Sequence, residues 1–260
     1  MNHQTLHGAE ELINLVEFPI HQSGPGRDAL IKDVHVQLAA DGCVFLKRFL
    51  TERAVTLLTA EADSVASCAH RPFNLTDPYF TADNFLPTGP LRVIHDFPAF
   101  DPFIQACLQQ QNFYRYADPL ADVIINMAEE GEGFPWHFDT NNFTITLAIQ
   151  SADEGGLFEF APNIRAESEN FTAVRAVLDG DSDLVRSLAL EPGDLQIFKG
   201  RYSLHRVTPL RGPTPRYVAI FSYVEQPDMV GAPERTKQLY GRVLPIHLER
   251  AGLRADSFID

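Results

Sequence analysis

The spacing of apolar and polar positions changes rhythm near residue 113. Upstream it is helical. Ala29–Ala40 puts Leu30, Val34 and Leu38 on one face, after the turn-rich HQSGPGRD (21–28) and before Gly42, which suits a C-terminal cap. CVFLKRFL (43–50) reads as a strand. Thr51 then caps a second predicted helix that runs to about Cys68. Residues 70–100 hold five of the 18 prolines. That density predicts a long irregular loop, of the kind that often serves as a lid. A third helix is predicted over Pro102–Gln111.

From Tyr114 to Val224 the rhythm is that of short strands: YRYAD (114–118), DVIINMA (122–128), NFTITLAIQ (142–150), GLFEFAP (156–162), DLQIFKG (194–200) and RYVAIFSYV (216–224). EEGEG, ADEGG and EPGD have the chemistry of turns between them. Residues 163–186 interrupt the series as an insert with a short helix near Phe171–Leu178. Pro233–Arg250 is predicted helical and exposed, with a break at Pro245. There is no repeat and no linker. The expectation is one α+β domain over 1–260, built as a helical flank (about 1–112), a β barrel or sandwich core (about 113–225) and a C-terminal helical extension (about 226–260).

Composition narrows the function. Hydrophobic residues make up 45% and the net charge is −14 at pH 7. Such an acidic chain repels a polyanion, so nucleic acid is not an expected partner. A small anionic substrate in a local basic pocket stays compatible with it. Cys43, Cys68 and Cys107 form no CxxC pair, which argues against a disulfide framework or zinc site and for a reducing compartment. The start has no basic and apolar leader pattern, and no apolar run is long enough to span a membrane. The expectation is a cytoplasmic protein with no membrane partner. The sequence leaves the oligomeric state open, a homodimer included.

The candidate chemistry begins at Trp136-His137-Phe138-Asp139. On a strand, residues i and i+2 share a face, so His137 and Asp139 would point together into a barrel mouth. His205, 68 residues on in the same β region, supplies the third ligand of a two-histidine, one-carboxylate facial triad, which leaves positions open on a metal. Alone, His-x-Asp is a weak signal, because buried His–Asp pairs are more often structural. Arg216, eleven residues past His205 across the turn LRGPTP, strengthens it. A guanidinium folded back beside the metal can grip a carboxylate through two parallel hydrogen bonds. Arg211 competes for that role. Arg216 is preferred because it opens an apolar strand, whereas Arg211 lies in the turn. His95 and His247 are expected at the surface or as satisfied core histidines.

The runs INLVEFPIH, YRYADPLADVIINM, PWHFDTNNFTITLAIQ, EGGLFEFAPNIR, VRAVLDGD and EPGDLQIFKGRYSLHRVTPLRGPTPRYVAIFSY resemble the iron/2-oxoglutarate family that contains the free-amino-acid radical halogenases, with the lysine chlorinases and related hydroxylases among its members. The resemblance spans about residues 12–242 and is most specific from Trp136 to Tyr223. It implies a double-stranded β-helix (jelly-roll, cupin-like) core with flanking N-terminal helices. It also implies His137, Asp139 and His205 as ligands of Fe(II), Arg216 as the anchor of the co-substrate 2-oxoglutarate, and O2 as oxidant. In the halogenases a small residue, usually Gly, replaces the carboxylate ligand and halide takes the vacated site. Asp139 fills it here, which implies hydroxylation, or another oxidation such as desaturation, over halogenation.

The resemblance further implies a small polar substrate, a free amino acid or derivative. Arg71 and Asn74 in the 70–100 segment are candidates for its carboxylate, and Asp118 and Asp122 for its amine. Trp136, Thr140, Asn141 and Asn142 are candidates for the mouth. Lysine-type members carry an acidic residue where Thr140 stands, so a cationic side chain on the substrate is not implied. The competing readings are a hydroxylase of peptides or other small metabolites, and a non-catalytic metal-binding or ligand-sensing barrel.

Overall fold

NFTITLAIQ organises the molecule. As strand β6 (Phe143–Gln150) it is buried along nearly its whole length, because both faces are covered. Phe143, Ile145, Leu147 and Ile149 join the main hydrophobic core, while Thr144 and Thr146 border an internal cavity. Two-residue periodicity thus sorts oily side chains to one face and hydroxyls to the other. The structure, a computed structural model, describes residues 8–71, 79–82, 85, 87–165, 168–181, 183–253 and 258.

The neighbours of β6 repeat this division. The larger sheet runs β1 (Cys43–Leu46), β9 (Leu195–Phe198), β6, β11 (Arg216–Val224), β4 (Val123–Ala128) and β2 (Tyr79–Ala82), and β3 (Tyr114–Arg115) pairs with the far end of β11. Its outer face, including Val123, Ile125, Leu195, Ile197, Ala219 and Phe221, packs under the N-terminal helices. These are α1 (Ala9–Leu12), α2 (Pro25–Asp41), α3 (Glu52–Val65), α4 (Pro90–His95) and α5 (Phe100–Leu108). A smaller sheet, β5 (Phe134–His137), β10 (Leu204–Val207), β7 (Phe158–Ala161) and β8 (Arg186–Leu188), closes the other side of the cavity. Every pairing is antiparallel. This is the double-stranded β-helix arrangement expected from the sequence.

Local signals placed several elements closely. Thr51 Oγ1 accepts from the Ala54 amide at 3.2 Å and starts α3. Gly42 ends α2 at φ 64°, a conformation that favours glycine. The helix of the insert, α6, spans Phe171–Leu178. The 70–100 segment needs correction. It contains β2, an edge strand on β4, and α4, whose Pro90 sits in the first turn where its missing N–H disrupts nothing. Asn74 lies outside the described residues. The division into flank and core also blurs, because β1 and β2 come from the first hundred residues yet complete the large sheet.

The C-terminal segment forms α7 (Pro233–Tyr240) and α8 (Pro245–Glu249). It breaks at Gly241, φ 73°, with Pro245 opening the second helix. A buried cluster pins it to the barrel. His247 Nδ1 accepts from the Leu244 amide at 2.9 Å, so its Nε2 carries the proton and donates to Asp118 Oδ1 at 3.0 Å. The Leu120 and Gly231 amides complete the Asp118 carboxylate at 2.8 and 2.9 Å. His247 is therefore a satisfied core histidine, and so is His95, buried beside Asp96 and Arg115. No helix among the described residues is long and apolar enough to cross a membrane.

Candidate metal centre

His137 and His205 face each other as a register pair between the antiparallel strands β5 and β10. Their ring centroids are 4.1 Å apart. Each ring is aimed by its own backbone. Nδ1 of His137 lies 2.8 Å from the Pro135 carbonyl, and Nδ1 of His205 lies 2.9 Å from that of Ser203. A carbonyl oxygen only accepts, so both Nδ1 atoms carry hydrogen and Nε2 is the nitrogen of each ring left to ligate. Burial, followed by the neighbouring His205, lowers the His137 pKa to about 4 against the weaker pull of Asp139. The imidazole is therefore neutral at pH 7, as a ligand must be.

The third donor comes from the bend after β5, not from the strand itself. Asp139 Oδ1 lies 3.7 Å from His137 Nε2 and 3.3 Å from His205 Nε2. The three groups offer ligand atoms all within 4.8 Å of one another. Burial works to raise the Asp139 carboxyl. His205, His137 and the Thr144 hydroxyl outweigh it and hold the group well below the usual carboxylate range. Thr144 Oγ1 donates to Oδ2 from the inner face of β6. The Asp139 amide donates to the Gly200 carbonyl at 3.1 Å. A Cβ at Gly200 would fall 1.9 Å from Asp139 Oδ2, so only a glycine leaves room for this carboxylate. Sequence reasoning missed Thr144 and Gly200. The Thr144/Thr146 alternation in an otherwise apolar strand was a usable signal, but nothing local marks Gly200.

The cavity beside the three donors has a volume of about 910 Å³ and draws its walls from both sheets, α6 and α7. Phe158 and Phe198 pack on His205 with centroids at 5.7 and 4.8 Å, leaving an apolar back wall. Arg216 opens β11 on the cavity side, buried. Burial alone lowers its pKa to about 10, so it remains a cation. It makes no ion pair with any described residue. Arg211 is exposed in the turn, bridged to Glu154, and does not line the cavity.

The remaining candidates divide. Trp136 and Thr140 line the cavity, as does Asn141, whose amide donates to the Phe143 carbonyl at 2.8 Å. Trp136 is half-buried beneath the Arg206 guanidinium at 4.7 Å. Asn142 is not brought to the cavity. Its side chain ties Tyr202 Oη at 3.0 Å to the Glu225 amide at 3.2 Å. Arg71 points elsewhere too, pairing with Glu132 and, at 2.7 Å, with Glu129. Asp118 is committed to His247, and Asp122 to Arg92 at 3.1 Å. Arg235 on α7 lines the cavity without having been foreseen, and its charge opposes protonation of His137.

A sequence model of the Halogenase D family matches residues 90–240. No curated protein matches the chain in sequence. Among solved structures, the α-ketoglutarate-dependent epimerase SnoN from nogalamycin biosynthesis is similar with a TM-score of 0.62 at 14% identity, over 76% of this chain and 84% of that one. HygX from Streptomyces hygroscopicus, solved with nickel, 2-oxoglutarate and hygromycin B, gives 0.59 at 10% identity, over 75% and 87%. A Pseudomonas putida prolyl-4-hydroxylase gives 0.54 at 14% identity, over 75% and 99%. At these identities the likeness is one of fold.

Proposed function

The chain belongs to the Halogenase D family, and from that premise we propose that it is an Fe(II)- and 2-oxoglutarate-dependent dioxygenase that hydroxylates an unactivated C–H bond of a small molecule, a free amino acid or derivative, and does not halogenate it. The observation that carries this reading is Asp139. Its carboxylate reaches both Nε2 atoms and is backed by the Thr144 hydroxyl, so the position a halide would need is filled by a protein ligand.

The donor chemistry fits the metal. Two imidazoles and one carboxylate on one side of a cavity suit Fe(II) and would leave its other positions open. Bound there, Fe(II), 2-oxoglutarate and O2 would supply the oxidising power: decarboxylation of the co-substrate to succinate, coupled to oxidation of a substrate C–H bond. The chain itself would do the rest. Arg216, a buried cation with no acidic partner among the described residues, would hold the distal carboxylate of 2-oxoglutarate by paired hydrogen bonds. Pro135 and Ser203 would fix the imidazole orientations through their carbonyls. Phe158 and Phe198 would keep bulk water off the His205 side.

The test is succinate formation by anaerobically prepared Fe(II) protein given 2-oxoglutarate and then O2, with chloride present, across a panel of free amino acids. Succinate release stimulated by one of them, with a product heavier by one oxygen atom, is the expected result. A chlorinated product would overturn the hydroxylase assignment. Absence of any 2-oxoglutarate turnover, even uncoupled, would overturn the enzyme reading and leave a ligand-sensing barrel.

A further inference from the structure

Three arginines line the cavity, and they differ in their partners. Arg165 is buried, stacked on Phe138 at 3.6 Å and paired with Glu169 at 3.2 Å, so its charge is answered. Arg216 sits at the start of β11 and is assigned above to the co-substrate. Arg235 projects from α7. Its hydrogen bond is to the neutral Gln238 Oε1, one helical turn on, at 2.9 Å. No described carboxylate pairs with it, although the chain carries 35 Asp and Glu against 21 Lys and Arg. Elsewhere an arginine close to an acid pairs with it, as the half-buried Arg92 and Arg206 do with Asp122 and Glu159. Arg235 is thus, with Arg216, one of two cavity arginines that no described carboxylate pairs with.

The insert helix shapes what that something is. Phe171, Val174 and Leu178 fall at i, i+3 and i+7 and border the same cavity. Phe171 is 63% and Leu178 54% exposed, an apolar face left uncovered by the protein at the mouth. The cavity therefore offers the Arg235 guanidinium on α7, with Glu234 beside it on the same helix and no ion pair between them, and an apolar wall on α6, with the metal donors between two sheets beneath them.

We propose that Arg235 is a specificity-determining residue that binds a carboxylate of the substrate, and that the substrate class is a small carboxylic acid with an apolar body laid along Phe171, Val174 and Leu178. The proposal rests on the oxygenase reading and sharpens it. The anion is recognised from the C-terminal helix, and Arg71 plays no part in it. A guanidinium–carboxylate pair is a charge-assisted, two-bond contact. A primary amide of the same shape keeps the body contacts and loses that pair, which is worth about 10- to 100-fold in affinity.

Trp136, the single tryptophan, lines this cavity and reports binding directly. The experiment uses Fe(II) protein with 2-oxoglutarate under anaerobic conditions. It is titrated with leucine, methionine and phenylalanine, with their des-amino acids, and with the primary amides of each. Trp136 fluorescence gives affinity, and succinate released on admitting O2 gives turnover. In the wild type, acids should bind about 10- to 100-fold tighter than their amides. Arg235→Gln should bring that ratio close to one, and Arg235→Lys should restore part of it. An unchanged acid-to-amide ratio in Arg235→Gln would overturn the proposal. A fall in 2-oxoglutarate affinity with the ratio intact would reassign Arg235 to the co-substrate and overturn it equally. If no acid binds while uncoupled 2-oxoglutarate turnover proceeds, the substrate class is wrong and the oxygenase reading stands. If 2-oxoglutarate is never consumed, the oxygenase reading fails first.

Discussion

Gly200→Ala tests how the carboxylate ligand is held. The added Cβ would lie 1.9 Å from Asp139 Oδ2 and 2.6 Å from its Cγ. Ordinary contact requires the oxygen to retreat by about 1.5 Å. The backbone cannot absorb this by parting, because the Asp139 amide is bonded to the Gly200 carbonyl at 3.1 Å. Relief must come from rotating the carboxylate away from Thr144 and the two imidazoles. Metal sites tolerate displacements of only about 0.2 Å in ligand distance. We therefore expect Fe(II) affinity to fall by at least about 10- to 100-fold, the range seen when groups supporting a ligand are lost. Overpacking should cost about 1–3 kcal/mol of stability, so the variant should still fold. Anaerobic Fe(II) titration gives the affinity, and a denaturation curve on metal-free protein gives the stability. A folded Gly200→Ala protein with wild-type Fe(II) affinity would refute the argument that this glycine is the seat of Asp139.

Three further outcomes follow from the same structure. Arg216→Gln should raise the KM for 2-oxoglutarate by about 100-fold, with Arg211→Gln near wild type; the reverse order would return the anchor role to Arg211. Burial, with the Arg115 charge acting in the same direction, lowers the pKa of His95 to about 4. The unfolded chain takes up a proton near pH 6.5 while the folded one resists until about 4, so stability should be complete above that window and fall across it by up to about 3 kcal/mol. His95→Gln should lessen that slope in urea midpoints measured at pH 7 and 4.5, leaving the share that His137 contributes by the same burial, and an identical slope would remove His95 as a source of it. His247→Phe strips one bond from the buried Asp118 carboxylate and loosens the anchorage of α7. A loss of about 2 kcal/mol together with a raised substrate KM is expected, and unchanged values of both would dissolve the link between this cluster and the cavity.

The fold and the site were legible to different depths. Strands β4, β6 and β11 announced themselves because long apolar runs with β-branched residues have few alternatives. The helix over Phe171–Leu178 likewise matched its pattern. In the 70–100 segment, proline density points to irregularity, yet proline is at home in a first helical turn, as Pro90 shows in α4. The three metal-site donors could be proposed from residue type and spacing. What brings them together could not, since it depends on the cross-strand register of β5 with β10 and on the space over Gly200. Arg71 was a reasonable candidate by position, yet Glu129 and Glu132 occupy it. Arg235 was invisible, because a helical arginine near the end of a chain carries no signal until the fold lays that helix across the cavity.

Strand β5 lies at the edge of the small sheet and, among the described strands, pairs only with β10, by two register pairs with an irregularity between them. His137 is the last residue of that edge strand, and its register partner, His205, is in the sheet interior. An ion shared by the two would act as a rivet across the seam. Filling the site would then change the mechanics of the barrel as well as its chemistry: this edge strand would be fastened at its end, and the amide hydrogens of Phe134, Trp136 and His137 would exchange with solvent more slowly once the ion is in place.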